Sequence, residues 1–306
     1  MAGDVVVFIG EQRFLRLADE TTWGVNTGLT YYDVPVSDFT VRNKPKRRNG
    51  QSRVGRYQSS YGANTSAHPS GNLVTPLFTS QPATGNCLAQ TLLAWAFGDQ
   101  EAKFPASKAA LWEYANHEDD KGYTGLRVNQ ASLAGSDAGI VLTIELIGQT
   151  AVNITGADSP PNTRGKLIQM LFEDCVFTLG GTALPISAFQ WSMQKTLDVI
   201  YENSSSPISM PKTTCKETFS ATPIKSSTAY DVMRESLGMQ EMAASLVIKG
   251  LNNAGTFTGT TCTISFPRLS LIDSDESGGL AAVMNPLTFD VLKPDTTANG
   301  SSIAWA

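Results

Sequence analysis

The feature that most constrains the fold is a short motif that occurs twice. Val34-Pro35-Val36-Ser37-Asp38-Phe39 returns as Leu184-Pro185-Ile186-Ser187-Ala188-Phe189, 150 positions later. Five of the six positions agree in type, including a proline inside a strand-like run. A second match, Ser132-Leu133 with Ser136-Asp137 against Ser270-Leu271 with Ser274-Asp275, has an offset of 138. A helical pattern lies between the two matches in each half. Matches in the same order around similar elements predict duplication of one module, in the order strand, strand, helix, strands. Chance similarity between short strand segments is the competing explanation. The expected units are residues 1–155 and 156–306, joined through 153–165 (NITGADSPPNTRG), where two prolines and two glycines mark a linker.

Local pattern supports a mainly β chain. Charged residues make up only 17% and hydrophobic residues 41%, so a core can form, and Thr, Ser, Gly and Asn fill the remainder in the manner of strands and turns. Strands are expected at 29–41, with Pro35 marking an edge or bulge, and at 73–78, 109–116, 123–133, 139–148, 173–179, 184–194, 243–250, 260–271 and 280–292, with a weaker stretch up to 225. In 139–148, Ile140, Leu142, Ile144 and Leu146 form one apolar face. The best helix is 86–97 (NCLAQTLLAWAF), capped by Asn86, stopped by Gly98, and carrying Leu88, Leu92, Trp95 and Ala96 on one core-packing stripe. A shorter helix is expected at 228–237.

The charge is uneven. The net value is −5, yet Arg42, Lys44, Lys46, Arg47, Arg48, Arg53 and Arg56 fall within 42–56 without an intervening acid, leaving the rest of the chain at −12. With no apolar period over 42–70, this reads as a long basic loop. Three roles suit it: an arm that docks on an acidic neighbour, a solvated loop, or a nucleic-acid contact in which Tyr57 and Tyr61 stack on bases.

No pattern carries catalysis or a cofactor. The chain has two histidines, His68 and His117. His117-Glu118-Asp119-Asp120 reads as a solvated turn, because consecutive residues rarely converge on one ion. Asp273, Asp275 and Glu276 with Gly278 and Gly279 read as a polar hairpin tip without calcium-loop spacing. No glycine-rich phosphate loop appears. Cys87, Cys175, Cys215 and Cys262 lack CxxC spacing and are expected as reduced, buried thiols. No stretch approaches the ~20 apolar residues of a membrane span, and Met1-Ala2-Gly3-Asp4 lacks a basic signal-peptide start, so assembly in a cytoplasm is expected.

Several segments together resemble the phage tail tube family. These are Glu20-Thr21-Thr22-Trp23-Gly24 before the first strand, the Gly- and Arg-rich segment from Asn49-Gly50 to Gly62, and Gly71-Asn72-Leu73-Val74-Thr75-Pro76-Leu77 leading to the Leu-rich helix. The pair Gly122–Leu133 and Gly139–Gly148 is similar to that family's long hairpin, and Ile186-Ser187-Ala188-Phe189-Gln190-Trp191 to a strand of its second half. The resemblance implies β-sandwich or barrel modules, each with a flanking helix, whose inner sheets join into a β-lined channel in stacked rings of six modules. It implies a virion tail component whose partners are further copies of itself, other tail proteins at the tube ends, and a tape measure protein and genomic DNA in the lumen without sequence-specific binding. If the chain holds two modules, a trimeric pseudo-hexamer is favoured over a hexamer. A related tail component such as a terminator, a capsid-decorating protein, a carbohydrate-binding sandwich and an enzyme are the competing expectations; the last lacks a catalytic constellation.

Overall fold

The computed structural model describes residues 13–50, 61–80, 88–114, 120–154, 167–224, 241–249, 261–273, 286–294 and 299–305. Strand accounts for 64% of the described residues and helix for 6%, which makes the chain mainly β. The first half contains β1 (Arg13–Asp19), β2 (Tyr32–Val34), β3 (Asp38–Phe39), β4 (Arg42–Gly50), β5 (Tyr61–Pro76), β6 (Phe78–Ser80), α1 (Leu88–Phe97), β7 (Lys108–Tyr114), β8 (Lys121–Ser136), β9 (Gly139–Ile147) and β10 (Thr150–Asn153). The second contains β11 (Leu167–Gln169), β12 (Val176–Leu179), β13 (Thr182–Leu184), β14 (Ile186–Leu197), β15 (Lys212–Pro223), β16 (Met242–Lys249), β17 (Thr261–Asp273), β18 (Leu287–Val291) and β19 (Ser302–Trp305).

Both halves run through one circuit of antiparallel pairings. In the first, the order is β2–β1–β7–β8–β9–β5–β3, with β10 also on β8. In the second it is β13–β12–β16–β17–β18–β15–β14, with β19 also on β17. Registers correspond as well. Leu15 faces Val34 and Trp112, while Phe177 faces Leu184 and Leu246. Lys108 faces Leu126 and Ala110 faces Tyr123 across a register shift; Met242 faces Leu269 and Ala244 faces Phe266 across another. Val128 faces Leu146 just before a bulge, and Leu271 faces Phe289 just before a bulge.

These registers correct one sequence match. Leu126 corresponds to Leu269, an offset of 143, so the pairing of Ser132-Leu133 with Ser270-Leu271 at 138 is fortuitous. At the motif of offset 150, β2 and β13 end just before Pro35 and Pro185, and Phe39 and Phe189 are both buried. From β5 to β7, where it carries β6 and α1, the first half is longer than the second is from β15 to β16, and from β7 to β8 it is shorter than the second is from β16 to β17.

β8 joins the layers. Its start pairs with β7 in an outer sheet and its end with β9 in an inner one. The end of β8 also pairs with β14, from Ala188 opposite Ser136 to Gln194 opposite Gln130. Among the described residues the inner sheet therefore crosses both halves in the order β3/β4–β5–β9–β8–β14–β15–β18–β17 and does not close on itself. Alternation explains the strands: Ile140, Leu142, Ile144 and Leu146 are fully buried while their neighbours are half-buried, and Phe189, Trp191 and Met193 repeat this in β14. Phe39 packs on Trp112 and Tyr123 between the layers of one half, and Phe219 on Phe177 and Phe266 in the other. Helix α1 buries Leu88, Leu92, Leu93, Trp95 and Phe97, the last stacked on Trp191 at 3.6 Å between ring centroids.

Other expectations need correction. Residues 42–50 and 61–70, read as loop, form a β4–β5 ribbon with Arg42 opposite Ser70 and Gly50 opposite Tyr61. A ribbon hydrogen-bonded along its backbone needs no buried face, so it leaves no apolar period to read. The strand at 29–41 is interrupted around Pro35, and β1, β10 and β19 were not foreseen. The left-handed residue after α1 is Asp99 (φ 56°) rather than Gly98; Gly98 is needed because a Cβ there would sit 2.3 Å from the Ala94 carbonyl oxygen. Of the described cysteines only Cys262 is buried, Cys175 is half-buried and Cys215 exposed, and none of the three is in a disulfide. Asp120 is 1% exposed rather than part of a solvated turn. The expected helix at 228–237, His117–Asp119, Asn86, Cys87 and most of the linker lie outside the described residues.

Candidate functional site

Cross-strand pairing lines up the outward side chains of the inner sheet. One unbroken row runs Asp38–Val74–Thr143–Ser132–Ser192–Thr218–Asp290–Ser270, across all eight strands. The face is small and polar. Gln190 donates to the Ser132 hydroxyl at 3.1 Å, and the Ser192 and Thr218 hydroxyls lie 2.7 Å apart. Its charges include Asp38, Glu145 and Asp290 against Lys216, which sits 3.5 Å from Asp290, with Arg42 and Lys44 at one margin. Such a wall has little net charge and offers hydroxyl and amide groups that bind no ion strongly.

The sheet ends on two strands. At one end, β3 and β4 pair with β5 and with no other strand among the described residues. At the other, the last residues of β17 pair with β18, with Asp273 opposite Thr288. An unpaired row of backbone N–H and C=O groups is a template for adding another strand.

The expected docking residues are partly brought together. Arg42 and Lys44 are exposed on β4, and Lys46, Arg47 and Arg48 follow along the same strand. Arg53 and Arg56 lie outside the described residues. Nine residues of strand extend the arm by about 30 Å. Its base is fixed to the second half: Ala67 donates its backbone N–H to Ser205, and His68 Nδ1 lies 2.5 Å from the Tyr201 hydroxyl. Burial, and then Lys44, hold the His68 imidazole below its ordinary pKa.

A buried polar cluster locks the inner sheet to α1 and the C-terminal segment. Glu217 on β15 accepts from Trp191 Nε1 at 2.6 Å and from Gln100 Nε2 at 3.2 Å, and Gln100 also reaches Ser301. Burial raises the Glu217 pKa while the hydrogen bonds from Ser301, Trp191 and Gln100 oppose that rise. Lys195 is fully buried and donates to the Gly98 carbonyl at the end of α1; desolvation lowers its pKa to about 8. A shifted lysine of this kind suits chemistry only where substrate can reach it, and here it caps a helix end.

The sequence reading missed the outward row and the two terminal strands, because both depend on which strands become neighbours. Among the described residues no three His, Cys, Asp or Glu side chains are grouped to hold a metal ion, and no described helix is long and apolar enough to cross a membrane.

A search of curated proteins finds no match to the chain. A family model described as phage tail tube protein matches residues 10–291. That match spans nearly the whole chain, including both pairing circuits and the inner sheet that joins them, and on it the chain belongs to the phage tail tube protein family, a family of structural proteins of the virion tail.

Proposed function

We propose that the chain polymerises into stacked rings that form the tail tube, through which DNA passes to the host, and that it holds two tandem modules so that three copies make a pseudo-six-fold ring. The observation that carries this is the inner sheet, which already spans both halves and ends on strands able to pair further. The matching pairing circuits of the two halves support the two-module reading, with a boundary near residue 155. The polar, nearly neutral outward row becomes the channel wall, where a strongly basic lining would hold DNA in place.

Geometry separates the ring sizes. Three inner sheets give a barrel of about 24 strands, and at ~4.8 Å spacing and 35–45° tilt its backbone diameter is about 45–50 Å. Six copies would give about 90–100 Å on the same reasoning. Electron microscopy of the purified protein, averaged down the tube axis, tests the proposal: three-fold symmetry and the narrower bore are expected. Isolated rings or monomers would instead favour a terminator or decorating role.

The β4–β5 arm suits docking on an acidic face of the neighbouring ring, setting register between rings. Tape measure protein and DNA then occupy the lumen without base-specific contacts, and other tail proteins close the ends. Arg47→Glu combined with Arg48→Glu should leave the fold intact and impair stacking; unaltered tubes would remove the docking role.

A further inference from the structure

We infer that the 198–211 loop of the second half is a brace that sets the direction of the β4–β5 arm, and that the Glu20–Gly24 turn is the clasp that holds this brace through Trp23 and Arg127. The inference concerns a single chain and does not rest on ring formation.

Brace and arm are equivalent connections. Ser192 pairs with Thr218 as Arg42 pairs with Ser70. β14–β15 therefore corresponds to β4–β5, and 198–211 takes the place of the segment that joins β4 to β5. The two have diverged. β4 and β5 continue as a ribbon, whereas 198–211 closes on itself: Asp198 donates its N–H to the Pro211 carbonyl, Ile200 to Ser209 and Ile208 to Ile200. The loop meets the base of the arm at two adjacent residues. Ser205 accepts the Ala67 N–H at 2.9 Å, and the Tyr201 hydroxyl lies 2.5 Å from His68 Nδ1. A two-stranded ribbon has no second layer to steer it, so contacts at its base from another part of the chain set its direction.

The first half holds the loop by two side chains. Arg127 Nη1 donates to the Met210 carbonyl at 2.7 Å, and Gln149 Nε2 to the Pro207 carbonyl at 3.2 Å. Arg127 is 6% exposed, and its Nε has no hydrogen-bond partner among the described residues. Two rings compensate: the guanidinium carbon lies 5.0 Å from the centre of the Trp23 ring and 5.6 Å from that of Phe104. A desolvated guanidinium over an aromatic face is attracted by the ring quadrupole.

The Glu20–Gly24 turn puts Trp23 in that position. The Glu20 carboxylate accepts the Gly24 N–H at 3.0 Å, which closes the turn, and the Gly125 N–H and the Ser107 hydroxyl at 2.7 Å each, which bind the turn to β8 and to the residue before β7. Trp23 Nε1 donates to the Gly125 carbonyl at 3.1 Å. Gly24 and Gly125 have φ of +78° and +65°, in the left-handed region that glycine enters freely. A Cβ on Gly24 would lie 1.6 Å from Gln149 Oε1, and one on Gly125 would lie 2.7 Å from Trp23 Nε1. The turn thus supplies an acid that binds three donors, an indole that stacks on Arg127, and a glycine that admits Gln149. Trp23 is a positioning residue, acting on the brace through Arg127.

Hydrogen exchange of the purified full-length chain, read at single amides, tests the inference. In Arg127→Met the amides of Ala67, Ile200 and Ile208 should exchange about tenfold faster, by local opening, while protected amides of 130–134 and 189–193 at the β8–β14 seam change by less than about twofold. Trp23→Leu should give the same pattern. The double variant should exchange no faster than Arg127→Met alone, because the indole acts through the guanidinium. Unchanged exchange at Ala67 in folded Arg127→Met overturns the inference. Acceleration spread evenly over the seam also overturns it, since that is a general loss of stability, and so do additive effects of the two substitutions. Should either variant fail to fold, Gln149→Ala decides at the same amides, because it removes the bond to Pro207 and leaves Arg127 in place. Acceleration confined to Ala67, Ile200 and Ile208 upholds the brace, and any other result there overturns it.

Discussion

Replacing Lys195 by methionine isolates the electrostatic cost of a cation placed where β14 otherwise carries apolar side chains. Phe189, Trp191, Met193, Lys195 and Leu197 occupy successive inward positions, and Lys195 has no exposed surface. Desolvation brings its pKa from 10.5 to about 8. At about 1.4 kcal/mol per unit, keeping it charged costs the folded chain about 3 kcal/mol. Between the folded and unfolded values the unfolded chain binds the additional proton, so this term makes stability rise with pH from about 8 to about 10.5, and the full cost applies below that window. Moving from about pH 7 to about pH 9 should relieve about 1 kcal/mol of it. Lys195→Met retains the aliphatic stem and removes the titration. Urea unfolding of both proteins at the two pH values should therefore show the wild type gaining about 1 kcal/mol on the variant. A stability difference that does not change with pH would show that the ammonium is not desolvated in the folded chain.

Two further substitutions probe the sheet and its outer layer. Gly71→Ala places a Cβ 2.5 Å from the Thr40 carbonyl oxygen and 2.6 Å from the Val41 nitrogen, forcing β3–β4 away from β5. A loss of about 3 kcal/mol in urea unfolding is expected, together with loss of tubes if the β3–β4 edge closes the ring. Arg16 lies 3.1 Å from Asp33 and 3.2 Å from Glu113, with the Glu113 side chain 3% exposed. Glu113→Gln should cost about 3 kcal/mol, near the lower end for breaking a buried ion pair because Asp33 remains, and an unchanged unfolding midpoint would place the pair in solvent.

The polar outward face and the basic arm explain why a structural role is compatible with so many apparent reactive groups. Lys195 and Glu217 are both shifted by burial, yet Lys195 donates to the Gly98 carbonyl at the end of α1, and Glu217 accepts from Trp191 and from Gln100, which also bonds residues 300 and 301.

What the sequence by itself determined was local. Alternation at Ile140–Leu146 and at Phe189–Met193 specified half-buried strands, because side-chain direction in a strand reverses at every residue. The Leu-rich run ending at Phe97 specified the helix, and the motif around Pro35 and Pro185 pointed to related halves. Only the tertiary structure decided the rest. That 42–50 and 61–70 are strands, that β8 pairs with β14 across the halves, and that Leu126 rather than the Ser132-Leu133 motif sets the correspondence with β17 all depend on backbone hydrogen bonds between distant segments. Those bonds are made by groups every residue shares, so no residue type announces them.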